Sequence, residues 1–360
     1  RIHAANCAAR YRGEPPPFDL VCLDRAAFSN RTQLAASLSG ADAVLHFAGV
    51  NRGTEDVVRE GNPGIARTLV DACRQAGCAP HIVYANSTHA KGESVYGSSK
   101  RIAADILASG PGAFTNVVLP HIFGECARPN YNGVTATLID NLWSGATPRV
   151  DPHGSVRLLH AGEAARLMIG AVTSGACGEL APTGRELLVS QVLDRLQAMH
   201  EAYQANRFPD LGDPFDLALF NSYRTAGFAR FATRAMTTHF DPRGLLVETA
   251  RAEGPSQTFV SSTRPGCRRG DHFHIDLVER FLVVHGTATI RVRRVLTDEV
   301  QVFHVNGNAP VRIDMPPLHT HHIENTSDAD VVTFFWSHRH FDPSAPDTYA
   351  DPVLREEQQS

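Results

Sequence analysis

The chain has 360 residues, 42% hydrophobic and 20% charged, the values of a folded globular protein long enough for two ordinary domains. A net charge of −4 gives no basic field for nucleic acid or an anionic membrane surface, and no apolar run approaches the roughly 20 residues that span a bilayer. Seven cysteines without Cys-x-x-Cys spacing, and no charged-then-apolar leader, predict reduced thiols in a cytoplasm.

Arg1-Ile-His-Ala-Ala-Asn6 reads as a helix already under way. Residues 18–23 read as a buried strand ending at Asp24-Arg25, and Asp42-Ala-Val-Leu-His-Phe-Ala-Gly49 as a second strand ending in a glycine turn. Ile65, Leu69, Ala72 and Cys73 stand at helical spacing and predict a helix over 62–77, with a third strand from His81 to Tyr84. A helix over 98–107, a strand over 116–119 and helices near 134–142, 162–172 and 189–203 follow. Strand–helix alternation predicts a parallel, doubly wound sheet. No glycine-rich turn of the kind that carries a dinucleotide pyrophosphate precedes Phe18, so the expectation is that the first strand and phosphate loop are missing from the numbered sequence.

Tyr96-Gly-Ser-Ser-Lys100 sits at the head of a predicted helix, where residues i and i+4 share a face. An ammonium beside a phenol favours phenolate, so this pair can pass a proton to a carbonyl oxygen as hydride reaches the carbon. Ser87, nine residues earlier and just past a strand, is placed to hydrogen-bond the same oxygen, with Thr88 as the alternative. Together with Phe47-Ala48-Gly49 these residues resemble the extended short-chain dehydrogenase/reductases. The resemblance implies a Rossmann-like fold, a catalytic set of Ser87, Tyr96 and Lys100, and a dinucleotide against Phe47, Ala48, Gly49, Tyr96 and Lys100. Arg25, at the end of the strand expected over 18–23, stands where a ribose 2′-phosphate is read and favours NADP; otherwise it is a solvated loop charge.

From Pro209-Asp210 the texture changes. Pro and Asp cluster, a basic stretch follows over 224–234, and short alternating strands take over near 245–248, 257–260, 288–292, 300–305 and 331–336. The expected boundary lies near residue 235. Within this part His272-x-His274, Glu279, Gly286 and then His321 with Asn325 four residues later form a ligand set for a divalent metal, most simply zinc, with a position left open. The order and spacing resemble the cupin barrel, although Leu318 stands where cupins carry a turn glycine. Arg269-Gly270-Asp271-His272 also resembles the base-bearing segment of metal-free deoxysugar epimerases, which leaves His272 open as ligand or as base.

The expected fold is therefore an α/β Rossmann-like doubly wound sheet (residues 1–235) followed by an all-β cupin barrel (236–360). That pairing resembles the bifunctional sugar-nucleotide enzymes of bacterial capsule and O-antigen synthesis. The motifs that carry the resemblance are Phe47-Ala-Gly-Val-Asn-Arg52, Tyr96-Gly-x-Ser-Lys100, Phe123-Gly-x-Cys-x-x-Pro-Asn-Tyr-Asn132, Asp241-x-Arg-Gly244 and Phe341-Asp-Pro-x-x-Pro-Asp-Thr-Tyr349. The resemblance implies C3 epimerisation of a UDP-4-keto-6-deoxy-N-acetylhexosamine in the barrel and NADPH-dependent C4 reduction in the Rossmann domain. It further implies substrate contacts from Asn51, Arg52, Asn130, Tyr131 and Asn132, a metal held by His272, His274, Glu279 and His321, and a homodimer formed through the barrel. Two other readings stay open: a reductase whose barrel only dimerises the chain, and a nucleotide-binding sensor without turnover.

Overall fold

The computed structural model describes residues 1–236, 238–241, 244–247, 251–252, 256–339 and 342–354. The middle of the Asp241–Gly244 motif, Glu248 and Phe341 lie outside them. The helices are α1 (Ile2–Tyr11), α2 (Arg31–Leu38), α3 (Glu55–Ala76), α4 (Val95–Ala108), α5 (Val134–Ser144), α6 (Ala161–Ser174), α7 (Val189–Gln204) and α8 (Pro214–Phe231). The chain forms two compact units. The first comprises 1–2, 18–122 and 155–187; the second comprises 3–17, 123–154 and the residues from 188 onward.

The first unit is built on a parallel sheet of β1 (Ala43–His46), β2 (His81–Ser87), β3 (Phe114–Leu119) and, after β4 (His121–Phe123) and β5 (Ser155–His160), β6 (Gly178–Leu180), in the order β1-β2-β3-β6. β4, β5 and β7 (Arg185–Leu188) make a separate three-stranded sheet. Side chains alternate along β2. Ile82 and Tyr84 join Leu69, Val70, Ala103 and Leu107 of α3 and α4, while Val83 joins Val117, Leu119 and Met168 toward α6. Apolar cover on both faces is what a parallel sheet requires, and each fully buried aliphatic side chain here contributes about 1.5–3 kcal/mol.

Two expectations fail in this unit. Residues 18–23 form no strand; Leu20, Val21 and Leu23 are 41%, 60% and 39% exposed. An apolar run becomes a strand only where a neighbour completes its ladder, and among the described residues β1 pairs with β2 alone. The long helix starts at Glu55, not Asn62, and carries Pro63 inside it. Thr54 caps it, accepting from the Val57 N–H at 3.5 Å, and Glu55 and Asp56 suit the positive end of its dipole.

The second unit is an antiparallel barrel with α5, α7, α8 and α1. Its shorter strands are β8 (Arg207–Phe208), β9 (Thr233–Ala235), β10 (Thr238–Asp241), β11 (Gly244–Val247) and β12 (Arg251–Ala252). The barrel strands proper are β13 (Gln257–Thr263), β14 (Arg268–Phe273), β15 (Glu279–His285), β16 (Thr287–Arg294), β17 (Val300–Asn306), β18 (Val311–Met315), β19 (His319–Asn325) and β20 (Val331–Ser337), with β21 (Tyr349–Ala350) at one edge. They form two five-stranded sheets, β13-β20-β15-β18-β9 and β17-β16-β19-β14-β21, closed over Phe281, Val283, Ile290, Val292, Ile313, Met315, Ile323 and Phe335. The fold class is thus the expected one, a Rossmann-like parallel sheet with flanking helices and then antiparallel sheets.

What the sequence shows as a change of texture after Pro209 is a helix. Asp213 caps α8 through Phe215 N–H at 2.8 Å, and Pro214 takes its first turn. Ala218, Leu219, Phe220, Asn221, Ser222, Tyr223 and Arg224 are all buried, so no polar face marks a helical period in the sequence.

Candidate functional site

The first cluster lies at the carboxyl end of β2. Ser87 is its last residue, level with Leu119 of β3. α4 begins a turn earlier than the spacing suggests, with Ser94 accepting from Gly97 N–H at 3.0 Å, and this puts Tyr96 in its first turn. Burial pushes the Tyr96 hydroxyl up, and its hydrogen bond with Ser87 offsets this only in part. The lowering expected from Lys100 is not realised. That ammonium donates to the Ala85 carbonyl at 2.7 Å and lies 4.1 Å from the centre of the Tyr84 ring. Burial brings Lys100 down to about 7.

The end of β1 supplies Phe47, exposed at 60%, then Ala48 and Gly49. A Cβ at Gly49 would stand 2.8 Å from the Asn62 amide oxygen, so a larger residue would displace that side chain. Asn62 holds this turn: it accepts from Val50 N–H at 2.9 Å, donates to the Val50 carbonyl at 2.8 Å, and donates to Ser99 Oγ at 2.9 Å. It links the Gly49 turn to the Tyr96 helix, and sequence spacing misses it because 37 residues separate the two partners. Asn51 and Arg52 follow the turn and are exposed. Arg25 lies in an exposed turn after Asp24, without the strand expected to deliver it.

Asn130, Tyr131 and Asn132 belong to the second unit and precede α5. Asn130 adopts φ +54° and its N–H donates to Thr137 Oγ1 at 3.0 Å; the Arg128 guanidinium lies 5.5 Å from the centre of the Tyr131 ring.

The second cluster is inside the barrel. His272 of β14 pairs in register with His321 of β19. The register shifts between Gly270 and His272, and Gly270 has φ +113°. A Cβ there would stand 2.6 Å from the His321 carbonyl, so this bulge requires glycine. His274 follows just beyond β14, and Glu279 comes from β15 of the facing sheet. Ligand nitrogens of His272, His274 and His321 lie within 4.8 Å of one another. Glu279 Oε2 is 2.9 Å from His274 Nε2 and 3.9 Å from His321 Nε2. All four line a cavity of about 350 Å³, with Phe281 and Phe335 on one wall and Arg269 and Arg339 among its polar lining.

The donor set suits a metal. His274 Nε2 and His321 Nε2 are buried, and neither makes a hydrogen bond among the described residues. The 2.9 Å approach of Glu279 to His274 has the distance of one but not the direction, as when ligand atoms converge on a common point. His274 Nδ1 lies 2.7 Å from the Asp347 carbonyl, which fixes that nitrogen as the N–H and turns the Nε2 lone pair inward. Burial holds His272 at about 4 and His321 well below the usual imidazole range, so both are neutral near pH 7, as a ligand or a base must be. Burial raises the Glu279 carboxyl, but His274, His321 and His272 overcome this and bring it to about 2.

Asp347 is a residue that the spacing of ligands does not reveal. Its carboxylate accepts the N–H groups of Ile275, Asp276 and Leu277 at 3.1, 2.8 and 2.8 Å, and it meets Arg339 at 3.2 Å. The only sequence signal was its place in the motif ending at Tyr349.

Residues 239–349 match the family described as polysaccharide biosynthesis C-terminal domain. UDP-2-acetamido-2,6-beta-L-arabino-hexul-4-ose reductase of Pseudomonas aeruginosa is 28% identical over 322 residues, 87% of this chain and 86% of its own length. The capsular polysaccharide assembling protein CapF of Staphylococcus aureus is 26% identical with a TM-score of 0.52, over 89% of this chain and 90% of that one. A structure of CapF with the inhibitor 3-isopropenyl-tropolone is 25% identical with a TM-score of 0.51, over 97% and 96% of the two chains. Over nearly its whole length, then, the chain resembles a sugar-nucleotide reductase and the capsular polysaccharide assembling protein CapF, in keeping with its two motif sets.

Proposed function

We propose that the chain is a bifunctional sugar-nucleotide enzyme, with a reductase domain over 1–235 and a cupin epimerase over 236–360. The substrate is a UDP-4-keto-6-deoxy-N-acetylhexosamine. It is epimerised at C3 in the barrel and reduced at C4 in the first domain, towards UDP-N-acetyl-L-fucosamine. The observation that carries this reading is the cluster of His272, His274, Glu279 and His321 on one cavity. A barrel that only dimerises the chain has no use for three converging imidazoles, two of them buried, and an ionised carboxylate, and neither has a sensor. The relatives' names supply the sugar-nucleotide and capsule context.

The chemistry imposes an order. A C3 proton is acidic only while C4 is a ketone, so epimerisation precedes reduction. In the barrel, His272, His274, Glu279 and His321 would hold a divalent ion, with zinc suited to the ligand set. A bound ion supplies positive charge for a developing enolate oxygen. CapF's tropolone inhibitor carries two adjacent oxygens of the kind that chelate such ions, which supports the same reading. If His272 is a ligand, another group takes the C3 proton; if no ion binds, His272 is the candidate base.

In the reductase domain, Phe47, Ala48 and Gly49 would lie along the dinucleotide with Arg25 toward a ribose phosphate, and bound NADPH supplies the hydride. Ser87 orients the C4 oxygen, and Tyr96, kept protonated by burial, gives it a proton. Lys100 stands behind Tyr96 and serves the cofactor ribose. Asn51, Arg52, Asn130, Tyr131 and Asn132 are proposed for the sugar. The enzyme would work in the cytoplasm as a dimer joined through the barrel; no described helix is long and apolar enough to cross a membrane.

The test is incubation with a UDP-4-keto-6-deoxy-N-acetylhexosamine in D₂O, with and without NADPH, followed by NMR. Deuterium at C3 is expected without NADPH, and a C4 carbinol only with it. Reduction without exchange would leave the barrel structural; neither reaction would leave a sensor.

A further inference from the structure

Glu279 stands at a junction of two backbone segments. It opens β15, reached from His274 through the turn at 275–278, and its partner on β18 is Met315, the last residue of that strand. A single side chain from α8 holds both segments. Arg224, 3% exposed, donates Nη2 to the Leu277 carbonyl at 3.0 Å and Nη1 to the Met315 carbonyl. Its Nε donates to Asn221 Oδ1 at 2.8 Å, and Asn221 in turn donates Nδ2 to the Asp276 carbonyl at 3.3 Å. Asp347 binds the N–H groups of the same turn, so its carbonyls face α8 and its amides face the loop that carries Asp347.

A guanidinium is an expensive way to fill a buried site. Its desolvation costs several kcal/mol, and an apolar residue of like volume is often neutral or better there. What an apolar residue cannot do is donate to two carbonyls at once in a fixed geometry. The planar fork of arginine sets the spacing between Leu277, two residues before Glu279 in the turn, and Met315, its partner on β18.

We propose that Arg224 is a positioning residue for Glu279, fixing from α8 the turn that leads into Glu279 and the end of β18 beside it, so that the carboxylate reaches the His272–His274–His321 cavity. The proposal rests on the reading of that cavity as a metal-holding epimerase site. It makes a helix that precedes the barrel part of the barrel's chemistry, so the epimerase site is not confined to the cupin sequence.

The test uses the full chain carrying Arg224→Lys, which keeps the charge and loses the fork, and Arg224→Met. Metal is stripped with a chelator. Amide hydrogen exchange over residues 275–279 is then measured, and cobalt(II) is titrated with its visible absorption as readout. In the Lys variant, exchange of these amides should rise at least about tenfold, cobalt affinity should fall about 10- to 100-fold, and the cobalt spectrum should shift. Reduction of a substrate already epimerised should stay within about twofold of the parent. If Arg224→Met fails to fold, Asn221→Ser loosens the same turn and should move exchange and cobalt affinity in the same directions, by less. Faster exchange with unchanged cobalt affinity and spectrum would reduce Arg224 to a stabilising role and overturn the proposal, as would unchanged exchange. A parent protein that takes up no cobalt defeats the metal reading instead, and amide exchange still decides whether Arg224 fixes the Glu279 segment.

Discussion

In the roles proposed for them, Tyr96 and Glu279 make opposite demands on their surroundings, and each is met by a few neighbours. A proton donor must keep its proton, and burial pushes the Tyr96 hydroxyl up. A ligand carboxylate must lose its own, and three imidazoles bring Glu279 to about 2 against the pull of burial. Tyr96→Phe should therefore cut NADPH-dependent reduction by about a hundredfold or more, the size usual for loss of a general acid. C3 exchange into D₂O should be untouched; reduction near the parent rate would move the donor elsewhere. His321→Ala should behave in reverse. His321 is 1% exposed and Nε2 has no other employment among the described residues. Elemental analysis of the variant should find metal well below one per chain, with C3 exchange lost and reduction of an epimerised substrate kept. Circular dichroism must first show a folded barrel.

At the scale of elements, α7 meets the barrel through buried charge. Asp314 of β18 accepts from Arg280 Nε at 2.6 Å and Nη2 at 3.0 Å, and also from the Tyr203 hydroxyl of α7. Burial raises this carboxyl, but Arg280 and Arg312 outweigh it and bring it from 3.8 to about 2. A depressed carboxyl stabilises the fold above its unfolded value and loses that contribution as pH falls through the folded one. Here the shift is worth about 2 kcal/mol, lost between about pH 4 and pH 2. Asp314→Asn should lower stability at pH 7 by about 3–5 kcal/mol, since two buried guanidinium groups lose their counter-charge, and should flatten the acid limb of thermal stability. An unchanged melting profile from pH 2 to pH 7 would show that the cluster is solvated.

How much of this was legible in the sequence depends on where the signal lies. Metal-type ligands recur at short fixed intervals, and His272, His274 and Glu279 could be singled out within eight residues, with Gly286 at the turn after them. The Ser87–Tyr96–Lys100 set is local too. Residues that act across the chain were not legible: Asn62 reaches Ser99, Asp347 reaches His274, and Asp314 reaches Tyr203. α8 was hidden because burial on every side erases the period that betrays a helix. Residues 18–23 misled for the converse reason. An apolar run states that burial is wanted, not that a neighbouring strand supplies it.

For the whole molecule, the two proposed chemistries would run in sequence but need not be mechanically joined. A C3 epimer released as a free keto sugar would pass through solvent. Equal amounts of Tyr96→Phe and His321→Ala proteins, each unable to complete the sequence alone, should together form the C4-reduced epimer, at a rate that rises with total protein. Failure to complement, with each half-reaction intact, would mean that the intermediate is handed over without release.

Leu318 places one last constraint on the barrel. It adopts φ +59°, and its N–H donates to the His274 carbonyl at 2.8 Å, while its side chain packs by Phe273 and Ile275 with Ala4 and Cys7 of α1. The left-handed backbone costs about 1–2 kcal/mol that glycine would avoid. Glycine would also empty the space the isobutyl group fills, at a loss of similar size or more. A single α-carbon beside the histidines thus trades ease of turning against tightness of fill. Improving either in isolation gains little, and a designer who wants a stiffer barrel would have to change Leu318 and its apolar neighbours together.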